Sequence, residues 1–199
     1  MNQTNPHNKD NISVAILAGG KNTRFYSENK SFLRLQGKYI IDHQLEILKK
    51  IFSEIMIITN EPEKFSGYDE LLKYPDIYPS KGPLSGIHSA LYHLQSDSVF
   101  VVAGDMPFLS KNLIKKLIDV SYQKEAVIPV NEKGIEPLHG IYNKSLVRPL
   151  GLFLKSSEKL SIRDFLKTTE PSYIEVPGES YSFININSPE DLKKFSGFN

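Results

Sequence analysis

Residues able to do chemistry gather first in Val14-Ala-Ile-Leu17-Ala18-Gly19-Gly20-Lys-Asn-Thr-Arg24-Phe25-Tyr26-Ser-Glu-Asn29-Lys30, an apolar run that breaks into a glycine pair and then supplies two cations. Gly19 and Gly20 carry no side chain, so their backbone N–H groups can approach phosphate oxygens, while Arg24 and Lys30 bring fixed positive charge. Such a cradle at a strand end suits a nucleoside triphosphate. It is neither the dinucleotide fingerprint Gly-x-Gly-x-x-Gly nor a P-loop, because the required glycine spacing and the Lys-Ser/Thr pair are absent.

Further along, Val101-Val102-Ala103-Gly104-Asp105-Met106-Pro107 is a buried-strand pattern that ends in one carboxylate. One or two protein carboxylates plus substrate phosphates suffice for Mg²⁺, so Asp105 is a metal-ligand candidate. An aspartate in Gly-Asp-x-Pro can equally be a turn residue bonded to its own backbone. Between these segments, Asp76-Ile-Tyr-Pro-Ser-Lys-Gly82-Pro83-Leu84-Ser85-Gly86 feeds a helix. The free N–H groups of that helix start can hold a phosphate or sugar hydroxyl, and Asp76 can accept from a ribose or base. The same Gly-Pro is also ordinary punctuation before a helix. In Phe183-Ile-Asn185-Ile-Asn187-Ser188-Pro-Glu-Asp191-Leu192, two amides at period two share one face of an expected strand and could grip a polar ligand, or Asn187 could be turn material. His139, in Pro137-Leu138-His139-Gly140, could point to the same crevice or simply solvate a strand end.

The elements needed to hold these residues follow from hydrophobic period. Continuous apolar runs at Ile12–Leu17, 54–59, 99–103 and 126–130 suit strands buried on both faces, and 138–142 and 172–176 are further extended candidates. Helical stripes run through Ile41, Leu45, Leu48 and Phe52, through Leu84, Ile87, Leu91 and Leu94, and through Leu113, Ile114, Leu117 and Ile118 behind a Ser110 cap. A helix is expected over 144–154, another over 161–166 with Ser161 and Asp164 in capping-box spacing, and a last one after Ser188 to about Phe195. Alternating strands and helices predict an α/β fold of three layers, α/β/α, on a mostly parallel Rossmann-like sheet with ligands beyond the carboxyl ends of the strands.

At 199 residues, with 40% hydrophobic and 24% charged, the chain is the size of one domain, expected over 12–199 behind a polar leader at 1–11. A net charge of +1, with the cations dispersed, argues against binding nucleic acid. The absence of cysteine excludes disulfides and thiolate metal sites, so any metal should be a hard cation on oxygen. No signal-peptide core and no apolar run long enough to span a bilayer is present, so a cytoplasmic protein away from membranes is expected.

Taken in order, Leu17-Ala-Gly-Gly with Arg24 and Lys30, Asp76 with Gly82-Pro-Leu-Ser-Gly86, Gly104-Asp105-Met-Pro107, Pro137-Leu-His-Gly-Ile-Tyr142 and Asn185-Ile-Asn-Ser-Pro-Glu-Asp-Leu192 resemble the molybdenum cofactor guanylyltransferases over nearly the whole chain. The resemblance implies the nucleotide-diphospho-sugar transferase type of fold and transfer of the guanylyl group of GTP to molybdenum-bound molybdopterin with Mg²⁺. It implies that Leu17, Ala18, Gly19, Lys30, Asn60 and Asp76 contact GTP and that Asp105 binds metal and nucleotide. Asn185 and Asn187 would lie towards the pterin, and the product would pass to an apo-molybdoenzyme or its chaperone. Where the family usually has Arg-Met-Gly and Asp-Lys, this chain has Arg24-Phe25-Tyr26 and Asn29-Lys30. A molybdopterin cytidylyltransferase, a sugar-phosphate nucleotidyltransferase and a non-catalytic nucleotide-binding protein are the rival readings.

Overall fold

The computed structural model describes residues 11–19, 29–156, 161–178 and 180–197. In chain order its elements are β1 (Ile12–Leu17), β2 (Arg34–Leu35), β3 (Lys38–Tyr39), α1 (Ile40–Leu48), β4 (Ile55–Ile58), β5 (Leu72–Tyr74), α2 (Pro83–His93), β6 (Ser98–Ala103), α3 (Lys111–Asp119), β7 (Ala126–Asn131), β8 (Gly134–Ile135), β9 (His139–Asn143), α4 (Val147–Ser156), α5 (Ile162–Leu166), β10 (Pro171–Glu175) and α6 (Pro189–Phe195). The main sheet has the order β10-β7-β9-β6-β1-β4-β5, with β8 beside β7. Strands β5, β4, β1 and β6 run parallel to one another, and β7 runs parallel to β10. β9 is inserted antiparallel to both β6 and β7, and the short β8 is antiparallel to β7. The connection from β7 to β9 is too short for the crossover helix that a parallel pair needs, so the chain folds straight back through β8. Pro137, which has no N–H to give, interrupts that return ladder, and Glu136-Pro137-Leu138 leaves it as a turn.

Alternation along each strand divides the core between the two faces. Val14, Ile16, Ile57, Phe100, Val102, Val127 and Ile141 face α1 and α3. Ala15, Met56, Ile58, Val99, Val101, Ala126 and Ile128 face α2, α4 and α5. That is the three-layer α/β/α arrangement, with a mostly parallel sheet covered on both sides. A third, smaller cluster joins the β2–β3 hairpin to α6 through Leu35, Ile40, Ile186 and Phe195.

Two expected local features differ. Asn185 and Asn187 stand in extended chain without a ladder, because the Ile186 N–H is donated to the Asp105 carbonyl (2.8 Å) instead of to a strand. Ser161 does cap α5 by position, but its side chain makes no cap hydrogen bond. By contrast Ser110 accepts from the Leu113 N–H and Ser188 from the Asp191 N–H, as their sequences predict. Among the described residues no helix is long and apolar enough to cross a membrane.

Candidate active site

The carboxyl ends of β1, β4 and β6 open into a cleft of about 1100 Å³ whose walls include Leu17, Ile58 and Ala103. The loop after β6 is pressed against the loop after β1. Gly104 donates its N–H to the Leu17 carbonyl (2.9 Å), and its own carbonyl accepts from the Ser31 hydroxyl (3.2 Å). A Cβ at 104 would lie 2.7 Å from Ser31 Oγ, 3.1 Å from Leu17 O and 3.3 Å from Ala18 Cα. A side chain at 104 would therefore displace the Ser31 hydroxyl and crowd the backbone after β1, which glycine avoids.

Gly104 thereby sets Asp105 opposite Lys30. Lys30 Nζ lies 3.1 Å from Asp105 Oδ2 and also donates to Asn187 Oδ1. The two side chains are 25% and 18% exposed, so this pair is open to a ligand yet partly shielded from water. Lys30 opens a short 3-10 helix, Lys30–Phe32, capped by Asn29. Buried Asn29 accepts from the Ser31 N–H (3.1 Å) and donates its Nδ2 to the Ala18 carbonyl (2.9 Å). Its amide thus ties the end of β1 to the lysine, a role in which the carboxylate usual in the resembling family could not supply the donor.

Another wall of the cleft is built on Asp76, whose Oδ2 accepts from Asn60 Nδ2 and whose N–H is donated to Asn60 Oδ1, both at 2.9 Å. Burial raises the pKa of Asp76 above the usual carboxylate range, and the Asn60 and Ser85 hydrogen bonds oppose that rise. The first turns of α2 fix the loop that leads into it: Ser85 Oγ accepts from the Tyr78 N–H (3.2 Å) and Ser89 Oγ from the Ile77 N–H (2.8 Å). Gly82, at φ +68°, turns the chain into α2 so that Gly82, Pro83 and Gly86 line the cleft.

Asn185 and Asn187 border this cleft and also a second cavity of about 400 Å³, enclosed by the β7–β8 turn, the end of β10 and α6. Ile186 between them is fully buried, so period two places both amides on the ligand side although no strand forms. The Asn187 N–H is held by Asp191 Oδ2 (2.9 Å).

Of the residues singled out in the sequence, Leu17, Ala18, Gly19, Lys30, Asn60, Asp76, Gly82, Asp105, Asn185 and Asn187 all line the cleft. Gly20 and Arg24 lie outside the described residues. His139 is a correction: it is fully buried, its ring edge-on to Phe100 and Phe183 with centroids 5.0 and 5.2 Å away, and it touches neither cavity. Leu138, one residue earlier, takes the cleft-lining position. The reading of the sequence also passed over Gln44, a polar residue inside the α1 stripe. Fully buried, it donates Nε2 to the carbonyls of Ala103 (2.7 Å) and Met106 (2.9 Å), one on either side of Gly104-Asp105. A glutamine in an otherwise apolar helical stripe was the available signal.

The donor set suits a hard cation held mainly by substrate. Among the described residues no three His, Asp or Glu side chains gather into a metal site, so a divalent ion would take Asp105 as its protein carboxylate and draw other ligands from phosphate and water.

The family model for the MobA-like NTP transferase domain matches residues 14–172. The chain is similar to a probable molybdenum cofactor guanylyltransferase of Clostridium perfringens, with 38% identity over 94% of this chain and 91% of that protein. Among solved structures it is similar to molybdopterin-guanine dinucleotide biosynthesis protein A from Archaeoglobus fulgidus, at TM-score 0.77 and 28% identity over 92% of this chain and 96% of that one. It also shares its fold with 4-diphosphocytidyl-2C-methyl-D-erythritol synthase from Anaerococcus prevotii, at TM-score 0.72 and 16% identity over 96% of each chain.

Proposed function

The chain belongs to the family of MobA-like NTP transferase domains, and on that premise we propose that it transfers the guanylyl group of GTP to the phosphate of molybdenum-bound molybdopterin, releasing pyrophosphate and forming molybdopterin guanine dinucleotide. The observation that carries this reading is Lys30 at the wall of the cleft, bonded at once to Asp105 and to Asn187, an amide that lines both cavities. In this reading a cation bonded to that shared amide serves the triphosphate in the cleft and the phosphate of an acceptor reaching in past Asn187.

Transfer at the α-phosphorus is an in-line displacement: the acceptor phosphate oxygen forms the new P–O bond as the bond to the β-phosphate oxygen breaks and pyrophosphate leaves. The acceptor is already ionised at neutral pH, so no side-chain base is needed, and alignment plus charge stabilisation carry the rate. In this reading Gly19 and the start of α2 cradle the triphosphate, Asp76 and Asn60 hold ribose or base, and Arg24 joins Lys30 on the phosphates. Lys30 offsets the negative charge growing on the leaving oxygens, and Asn185 and Asn187 orient the acceptor. Asp105 would hold Mg²⁺, which when bound supplies further charge neutralisation on the triphosphate. A reaction drawing on the nucleoside triphosphate pool belongs in the cytoplasm, and as a terminal transferase the protein would hand its product to an apo-molybdoenzyme or its chaperone.

The test is to incubate the protein with each of GTP, CTP, ATP and UTP in turn, with Mg²⁺ and molybdenum-loaded molybdopterin, and to identify the dinucleotide and the pyrophosphate formed. Guanine dinucleotide from GTP alone is the expected result. Cytosine dinucleotide would reassign the base, and nucleotide binding without pyrophosphate release would remove the catalytic reading.

A further inference from the structure

The second cavity contains a carboxylate that the transfer chemistry does not use. Glu136 sits in the turn that Pro137 forces out of the β7–β9 ladder, half-buried at the cavity wall. Its backbone is pinned on both sides, the N–H donated to Pro129 O (2.9 Å) and the carbonyl accepting from the His139 N–H (3.1 Å). Its side chain is aimed as well: Oε1 accepts from Asn131 Nδ2 (2.9 Å), and Asn131 is itself fixed by accepting from the Lys133 N–H (2.7 Å). Among the described residues Oε2 has no hydrogen-bond partner. Burial pushes the Glu136 carboxyl up from its usual range, with Asn131, Lys133 and Arg163 opposing.

The rest of the cavity, of about 400 Å³, mixes apolar and charged lining. Val176, Pro177, Phe183 and Phe195 supply its apolar wall, Glu132, Lys133, Asp191 and Lys194 its charged rim, and Asn185 and Asn187 are shared with the cleft that holds Lys30. An acceptor whose phosphate reaches Lys30 past the shared Asn185 and Asn187 would lay its ring against the apolar wall, with the edge of that ring towards the fixed carboxylate of Glu136. We propose that Glu136 is the residue that recognises the acceptor's heterocycle, taking paired N–H donors of a 2-amino-4-oxopyrimidine edge on its carboxylate. This rests on the reading of the acceptor as a pterin. A carboxylate accepts such adjacent donors in parallel, with the strength of a charge-assisted pair, and Asn131 supplies the preorganisation.

The experiment follows pterin fluorescence on titration of the full chain with 6-hydroxymethylpterin, and with 6-hydroxymethyllumazine, in which an oxo group replaces the 2-amino group. Wild type, Glu136→Gln and Glu136→Ala are compared, and GTP is titrated separately. Glu136→Gln keeps the shape and the oxygen that accepts from Asn131, so the fold is retained. The expected result is at least tenfold weaker pterin binding by Glu136→Gln, a reduced preference for pterin over lumazine, and GTP affinity unchanged within twofold. In turnover with molybdopterin, KM for the acceptor should rise while kcat holds. Equal pterin affinity in wild type and Glu136→Gln, with wild type still forming the dinucleotide, would overturn the role of Glu136 and leave the proposed function standing. A wild type that forms no dinucleotide from molybdopterin and binds no pterin would overturn both.

Discussion

In the proposed transfer Lys30 is the residue on which the chemistry converges, and its environment separates catalytic from structural loss. It is bonded to Asp105 and Asn187 at the edge of an open cleft. Breaking a partly exposed ion pair of this kind changes stability by about 1 kcal/mol or less. Removing a donor that acts on charge developing in the transition state typically costs about 3 kcal/mol, on the order of a hundredfold in rate or more. Lys30→Ala is therefore expected to retain its melting temperature within a few degrees and to bind GTP within a few-fold of wild type, while kcat falls about a hundredfold. Single-turnover pyrophosphate release measured beside equilibrium GTP titration separates the two. Weaker GTP binding at an unchanged kcat would make Lys30 a positioning group only. At this scale the sequence was informative wherever a residue's type and its place after an apolar run pointed to the crevice, as for Asp76, Asp105 and Asn187. It failed for His139, because Leu138 and His139 are adjacent and only the phase of the strand decides which one faces ligand. Glu136 carried no signal, since the cavity it serves exists only after β7, β10 and α6 come together.

At the scale of elements, buried strands and amphipathic helices were legible because one period dominated each: β1, β4, β6 and β7, and α1, α2 and α3, all lie where their apolar spacing predicts. The two-residue strands of the β2–β3 hairpin and of β8 are too short to show any period, and the antiparallel sense of β9 depends on a tight return and not on composition. Gln44 shows what such patterns hide. From inside α1 it grips the carbonyls of Ala103 and Met106 and so fixes the turn bearing Asp105, with no contact to the cleft. Gln44→Leu keeps the volume but leaves two carbonyls without that donor; a buried unsatisfied group costs about 1–3 kcal/mol. The variant is expected to unfold at lower urea by an amount in that range, and to need a higher Mg²⁺ concentration for half-maximal turnover. The shift in Mg²⁺ dependence, read under conditions where the variant is fully folded, distinguishes positioning of Asp105 from mere packing. An unchanged Mg²⁺ dependence would leave Gln44 a purely structural residue.

Across the whole molecule, the sheet that delivers the site also encloses the one imidazole that the sequence had offered to the ligand. His139 starts the antiparallel strand β9 beside β6 and lies between the rings of Phe100 and Phe183, and neither of its ring nitrogens has a hydrogen-bond partner. Burial alone lowers its pKa from the ordinary histidine value of 6.5 to about 3. Above the ordinary value both folded and unfolded chains hold the ring neutral, and the contribution to stability is constant. Between 6.5 and about 3 the unfolded chain takes up a proton that the folded chain refuses. Stability therefore falls as pH falls through that window, by up to about 1.4 kcal/mol per pH unit, and this contribution levels off once the folded ring is also protonated. His139→Phe removes the titration while keeping a planar ring among aromatic neighbours. Carboxylates that titrate over the same range act alike in both proteins, so they cancel in the difference. Urea unfolding of the two proteins at a series of pH values from about 7 to about 4 should give a stability difference that is flat at the top of the range and then moves in favour of the variant by about 1 kcal/mol or more per unit. Parallel stability curves would mean that water or a donor reaches the ring, and that the core beneath β9 is open where the structure closes it.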